Sequence, residues 1–406
     1  MKRILAATLT LFLILSSFAC AGAETVTLEM FPQKPENVEV FAEIFAKFME
    51  ENPDIKLNVT NVADAQKVIV TRVATNDVPD MVNLLPTSLQ FQIMQKEGVF
   101  YDLTGAGFFD KISQNMIGMC KIDDKIYCQP VSFTGFGLYY NTDIFAAQGL
   151  EVPTTADELF AVCEKLKAAG IQPLSLADKD VGNLQQIFER ILAGSVNHDI
   201  KTTCEDVAAG KASFATDERM VKYAEFLIKL RDYGPEDSLG VDIEQARSDF
   251  AQGKTAMIID GSWSVSVILS LNPELKFHVA PFPAVTEETY IVGSPDTAWA
   301  ISSSTEHFDE CMRFLEFFVR EDISAMYAAA DKNPTVVNGT PYDVEQLIDI
   351  NAMVADGKFL LNPSSFWDSS LRSEIRSQVQ LLLIDKDVNA FLTTLDQLIT
   401  NNYNSK

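Results

Sequence analysis

The sequence predicts an α/β fold in two lobes, and three observations carry that reading. Strand and helix periodicities alternate from residue 25 onward. About 380 residues follow the first 23, more than one compact core holds. No long flexible linker, repeat or low-complexity tract divides them, which fits lobes that the chain crosses several times.

Residues 1–23 stand apart from that pattern. Met1-Lys2-Arg3 precede an apolar run from Ile4 to Phe18, and small residues follow in Ala19-Cys20-Ala21-Gly22-Ala23. This is the order of a signal peptide, so the protein is expected to be exported. Two cleavage readings stand open. Ala21-Gly22-Ala23 before Glu24 suits ordinary signal peptidase, whereas Ala19-Cys20 has the form of a lipobox end whose Cys20 is lipidated. Ser17-Phe18, in place of the usual Leu and small residue, and the short run from Cys20 to Thr25 argue against lipidation. No later segment approaches about 20 apolar residues. The expected location is extracytoplasmic, periplasmic or at the cell surface, soluble or tethered at its start.

Val26, Leu28 and Met30 alternate with polar residues, a strand; Phe41, Ile44, Phe45, Phe48 and Met49 then keep helical spacing up to Pro53. Ile55, Leu57 and Val59 alternate again, Ala65 to Ala74 suit a helix, and Met81 to Leu85 read as a buried strand. The order β-α-β-α-β implies a parallel sheet with right-handed crossovers, and ligands of such sheets lie beyond the carboxyl ends of the strands. The loops Phe31 to Asn37 and Pro86 to Ser88 are therefore the ones to watch. Val131 to Asn141 is a long extended stretch, and a second lobe begins near Phe136. Helices follow from Thr154 to Gly170, Met220 to Leu230, Ile243 to Gln252 and Phe308 to Val319, with strands at Ala256 to Ile259, Lys276 to Phe282 and Ala298 to Ser302. From Asp331 the chain reads as helical apart from Pro334 to Tyr342 and Leu360 to Ser370.

The formal charge is −25, and loss of the leader removes Lys2 and Arg3 and no acid, moving it to −27. Such a charge excludes nucleic acid as a natural partner and argues against adhesion to anionic surfaces. Apart from Cys20 there are Cys120, Cys128, Cys163, Cys204 and Cys311, an odd number in a compartment where disulfides persist. Cys120 and Cys128 flank a tight hairpin and are the first candidates for a cross-strand disulfide; Cys163 with Cys204 is the second. His198, His278 and His307 are scattered, and no spacing suggests zinc or any other metal or cofactor.

Sugars present apolar ring faces edged with hydroxyls, so a site for them needs an aromatic platform with Asp, Asn or amide partners. All three tryptophans stand in such company: Asp260-Gly261-Ser262-Trp263, Asp296-Thr297-Ala298-Trp299, and Phe366-Trp367-Asp368. The competing reading for each is a packed core or rim residue, strongest for Trp299 in its apolar strand. Tyr139-Tyr140 has the form of an iron-binding pair, but alternation through Phe136-Gly137-Leu138 makes them opposite faces of one strand.

Several segments, in order and spacing, resemble the extracellular solute-binding proteins of the family that includes maltose-binding protein. They are Glu51-Asn52-Pro53-Asp54, Asp77-Val78-Pro79-Asp80, Leu138-Tyr139-Tyr140-Asn141-Thr142-Asp143, Phe250-Ala251-Gln252-Gly253-Lys254-Thr255-Ala256-Met257, Asp260 to Trp263, Asp296 to Ile301 and Phe314-Leu315-Glu316-Phe317. The resemblance implies two lobes joined at a hinge, closing on a sugar and docking on the permease of an ATPase-driven ABC importer, as a monomer. The division it suggests is residues 24–134 with 293–330 in lobe 1, and 135–292 with 331–406 in lobe 2. It implies Trp263 as a stacking residue with Asp260 as hydroxyl partner, and Trp367 as a second stacking position. Gln33, Lys34, Thr87, Phe133 and Thr134 match first-lobe contact loops, and Asp180 to Asn183 match a second-lobe loop. Phe31-Pro32-Gln33 departs from the family, many of whose members carry Trp or His there, so the first-lobe platform differs.

A binder is expected rather than an enzyme. No nucleophile elbow, metal pair, histidine triad or phosphate loop is present, and with 57 acidic residues chance carboxylate pairs carry no weight. The alternatives are a binder of a cation such as a polyamine, for which Asp260 and Asp296 would serve, and a secreted carbohydrate-active enzyme.

Overall fold

The computed structural model describes residues 25–34, 37–62, 65–179, 181–195, 200–283, 285, 288–367 and 369–404. The leader with Cys20, and Asp180, lie outside the described residues. Among those described, no helix is long and apolar enough to cross a membrane.

Strand β1 (Val26–Phe31) buries Leu28 and Met30. The helix Val38–Glu51 that follows turns Val40, Phe41, Ile44, Phe45 and Phe48 inward, an apolar stripe at helical spacing. β2 (Ile55–Val59) and β3 (Met81–Leu84) pair with β1 on either side, both parallel to it, as the β-α-β-α-β pattern requires. The helix Ala65–Ala74 lies between them in sequence, with the bounds its periodicity predicts.

β4 (Lys121–Ile122) and β5 (Lys125–Ile126) form the expected hairpin, turning through Asp123 and Asp124 at positive φ. The remaining strands are β6 (Gln129–Asn141), β7 (Gln172–Ser175), β8 (Thr255–Gly261), β9 (Phe277–Pro281), β10 (Ile291–Ile301) and β11 (Phe359–Leu361). They continue the sheet in the order β2-β1-β3-β10-β6-β8-β7, with β9 also on β6 and β11 also on β10.

β6 decides the architecture because it changes partners along its length. Gln129 to Gly135 pair with β10, whereas Phe136 to Tyr140 pair with β8, and Gly137 to Asn141 pair with β9. The chain thus passes from one half of the sheet to the other at Gly135 and Phe136. Gly137 permits the crowding there, since a Cβ would come within 2.5 Å of the Ala280 carbonyl oxygen. Tyr139 and Tyr140 point to opposite faces, as alternation predicts: Tyr139 stacks on Phe277 at 5.7 Å, and Tyr140 meets Phe145 at 4.9 Å.

Two large cores result. One gathers Leu28, Phe41, Phe45, Phe48, Trp299 and Phe314 beside β1–β3 and continues through Tyr139, Phe250, Ile258 and Phe277 on the other half. The other gathers Leu159, Leu166, Phe188, Tyr223, Ile375 and Leu395 under the β7–β8 half. A smaller cluster around Phe31, Phe91 and Phe100 includes Cys120 and Cys128.

Two expectations are corrected here. Cys120 and Cys128 are free thiols buried in one cluster, and Cys163 and Cys204 are free and buried as well. In the hairpin register Lys121 opposes Ile126, so Cys120 and Cys128 are not facing residues of the ladder. Burial first, and then the neighbouring Cys120, push the Cys128 thiol well above its usual range. Strand β10 also begins seven residues before the predicted Ala298.

Candidate binding site

The turn Asp260-Gly261-Ser262-Trp263 leaves the carboxyl end of β8 and opens into the helix Ser264–Leu271. Its backbone is held from several sides. Ser262 N–H donates to the Gly135 carbonyl at 2.8 Å, and Gly135 N–H donates back to Ser262 Oγ at 3.2 Å. Tyr139 Oη donates to the Gly261 carbonyl at 2.5 Å. The turn is therefore fastened to the point where β6 changes partners.

Asp260 is 1% exposed, and its carboxylate accepts from Arg247 Nε at 2.8 Å, Ser264 Oγ at 2.7 Å and Gly261 N–H at 2.8 Å. These donors compensate a buried charge that would otherwise be costly. Asp260 thus fixes the turn from within. Trp263 is half-buried, with its ring edge lying on Gly261: a Cβ there would fall 2.1 Å from Cη2 and Cζ3 of the indole. Glycine at 261 is what lets the ring lie down.

On the β1 side, Lys34 is buried with its ammonium between Asp296 and Asp331, 2.6 Å from Asp331 Oδ1. Burial alone would lower its pKa, but Asp296, Tyr327 and Asp331 outweigh that and raise it. Asp296 reaches Lys34 because β10 is bulged: Pro295 pairs with Phe133 and Thr297 with Ser132, leaving Asp296 out of the ladder. Asn37 Nδ2 donates to Asp331 Oδ1 at 2.7 Å, and Asn333 Nδ2 to Asp331 Oδ2 at 3.0 Å. Ser262 Oγ in turn donates to Asn333 Oδ1. One continuous polar chain therefore runs from Lys34 through Asp331 and Asn333 to the residue before Trp263.

Gln33 N–H donates to Asn83 Oδ1 at 3.3 Å, and Thr297 Oγ1 donates to the same oxygen at 2.7 Å, so Asn83 sets the loop after β1. Thr134 Oγ1 donates to the Ser294 carbonyl at 3.4 Å. Thr87 is buried in the turn before the helix Leu89–Lys96, and Gln92 of that helix donates to the Ser365 carbonyl at 3.0 Å. Asn183 falls in the first turn of the helix Val181–Ser195.

Three expected contact residues are aromatic side chains packed in the two large cores. Trp299 is 0% exposed and lies edge-on to Phe41, Phe45 and Phe314 at centroid distances of 5.5 to 6.0 Å, so it is a core residue of β10. Trp367 is 1% exposed within the second core beside the Cys204 thiol. Phe133 is 0% exposed and packs on Phe359. Sequence reasoning missed Asp331, Asn333, Asn83 and Arg247. For Asp331 and Asn333 the available signal is a polar helix end ahead of Pro334; for Asn83 it is an amide within the apolar strand Met81–Leu84.

Residues 32–324 match the model of the bacterial extracellular solute-binding protein family. This chain belongs to that family. Its relatives include the multiple sugar-binding protein of Streptococcus mutans, 30% identical over 331 residues, which are 79% of this chain and 77% of the relative. The melibiose/raffinose/stachyose-binding protein MelE of Bacillus subtilis is 21% identical over 81% of this chain and 78% of its own length. Among solved structures, apo RafE of Streptococcus pneumoniae superposes with a TM-score of 0.86 at 26% identity, covering 94% of this chain and 99% of that one. RafE in complex with raffinose gives 0.80 at 26% identity, covering 93% and 99%. The fold of this solute-binding protein is accordingly the two-lobed α/β arrangement, with β6 and β10 passing between the halves. The family and these relatives are binding proteins.

Proposed function

We propose that this solute-binding protein captures a mono- or oligosaccharide between its lobes, outside the cytoplasmic membrane, and delivers it as a monomer to an ABC permease driven by an ATPase. The observation that carries the reading is the half-buried Trp263 at the carboxyl end of β8, tied by Ser262 and Asn333 to the polar loop around Lys34. An aromatic face bordered by fixed polar groups matches the amphipathic surface of a pyranose. The sugar named for the Streptococcus mutans relative and the raffinose bound by RafE support the same ligand class.

The lobes divide at residues 24–134 with 293–330 and 135–292 with 331–406, a reading supported by the partner change of β6 at Gly135 and the start of β10's pairing with β6 at Gly293. A ligand touching both lobes favours their closed arrangement through the contacts made only there. Residues 1–23 direct export.

The test is a thermal-shift screen over raffinose, melibiose, stachyose and monosaccharides, followed by calorimetry on the best ligand. Trp263→Ala is expected to cost about 1 to 3 kcal/mol of affinity. Unchanged affinity would remove Trp263 from the site. A shift with spermidine and none with any sugar would overturn the ligand class, and cleavage of a bound sugar would overturn capture.

A further inference from the structure

The helix Val181–Ser195 carries Arg190 into the interior, where it is 7% exposed. Its guanidinium carbon lies 5.2 Å from the centroid of Phe136 and 5.5 Å from that of Trp263. Burial draws its pKa down to about 10, while Glu189 and Asp260 hold it up and Arg372 opposes them. A buried cation is a costly way to fill space, because an apolar residue of similar volume would fill it without desolvating a charge. What arginine adds is a planar cationic face that stacks on aromatic rings, and such pairs gain strength when water is excluded.

The two rings are not arbitrary neighbours. Phe136 is the first residue of β6 to pair with β8, opposite Gly261, and Trp263 stands two residues beyond that glycine. The indole edge already rests on the Gly261 backbone. With the guanidinium near its ring and glycine at its edge, the indole is restrained in two directions. Asp260, one of the carboxylates facing Arg190, anchors the same turn through Arg247 and Ser264.

We propose that Arg190 is a positioning residue for Trp263, its guanidinium stacked against Trp263 and Phe136 so that the indole plane is fixed where a sugar face docks. The docking half of this inference rests on the sugar-capture reading above; the stacking half does not.

The test has two arms. In the first, Trp263 fluorescence is isolated by subtracting the spectrum of Trp263→Phe from that of its parent, with Arg190 intact and again with Arg190→Met. Loss of the guanidinium is expected to shift the Trp263 emission to the red and to raise its quenching by acrylamide. In the second, calorimetry with raffinose is expected to show about tenfold weaker binding by Arg190→Met, the scale of a desolvated cation–π contact. In a Trp263→Ala background the same change is expected to alter affinity less than about twofold, because the two residues act as one unit. Equal losses in both backgrounds, or an unchanged Trp263 signal, would overturn the proposal. If thermal melting shows that Arg190→Met is unfolded, Arg190→Lys, which keeps the charge and loses the plane, carries both readouts. If the wild-type protein binds no sugar, the capture reading falls and the fluorescence arm alone decides the role of Arg190.

Discussion

Lys34 brings an ammonium group into the interior together with the carboxylates of Asp296 and Asp331, and each of the three was placed there by a different segment of chain. Lys34 and Asp296 stand out in the sequence as candidate ligand groups, and the structure does bring them together. It brings them to each other, however, because a carboxylate that suits a sugar hydroxyl suits an internal ammonium at least as well. Sequence lists the polar groups near a site and does not say which of them are already occupied. The same holds for Asp260, whose oxygens are committed to Arg247, Ser264 and the Gly261 amide. The Asp-Gly-Ser-Trp run places Trp263 half-buried at a strand end, whereas Trp299 and Trp367 sit in comparable runs and are buried. Asp331 gives this scale its prediction. Its carboxylate accepts from Lys34, Asn37 and Asn333, so Asp331→Ala breaks a buried ion pair and two further hydrogen bonds. The expected cost is about 3 kcal/mol, read as a lower urea midpoint at unchanged slope. A loss under about 0.5 kcal/mol would mean that the polar chain adds nothing to stability.

At the scale of elements, legibility followed local chemistry. The helix Ala156–Ala168 was readable from its apolar spacing and from Gly170 beyond its end, and Thr155 with Glu158 forms a reciprocal capping box at its start. Thr155→Ala is expected to cost about 1 kcal/mol, seen as a lower melting temperature with ligand affinity unchanged. A drop in affinity would show that this distant helix end is linked to the site. β10 was legible only in its second half. Gly293 and Pro295 argue against a strand in any local reading. The sheet tolerates both for tertiary reasons: a Cβ at 293 would fall 2.0 Å from the Thr134 carbonyl oxygen, and the bulge at Asp296 interrupts the ladder beside Pro295. The features that hid the strand from a sequence reading are those that bring Asp296 to Lys34. β11, three residues long, gains its definition only from lying beside Ile291 to Gly293.

For the whole molecule, the two-lobed α/β class was legible from length, alternating periodicity and the missing linker, but the way the halves share strands was not. β6 contributes Gln129 to Gly135 to one half and Phe136 to Asn141 to the other, and β10 binds β3 and β6 along one length and β11 at its start. The segment after Asp331 is fastened to the first core, with Pro334 and Val336 accepting from Phe133 and Ser113. Unfolding either core therefore strips hydrogen-bond partners from strands that the other core needs. Chains of this size often melt domain by domain, yet here shared strands should couple the two cores. Calorimetry is expected to give one transition whose calorimetric and van't Hoff enthalpies agree. A sugar held at about 100 times its dissociation constant should raise the stability of that single transition by about 2.7 kcal/mol. Two resolved transitions, with ligand moving only one, would show that the cores fold independently and that strands β6 and β10 join them without coupling them.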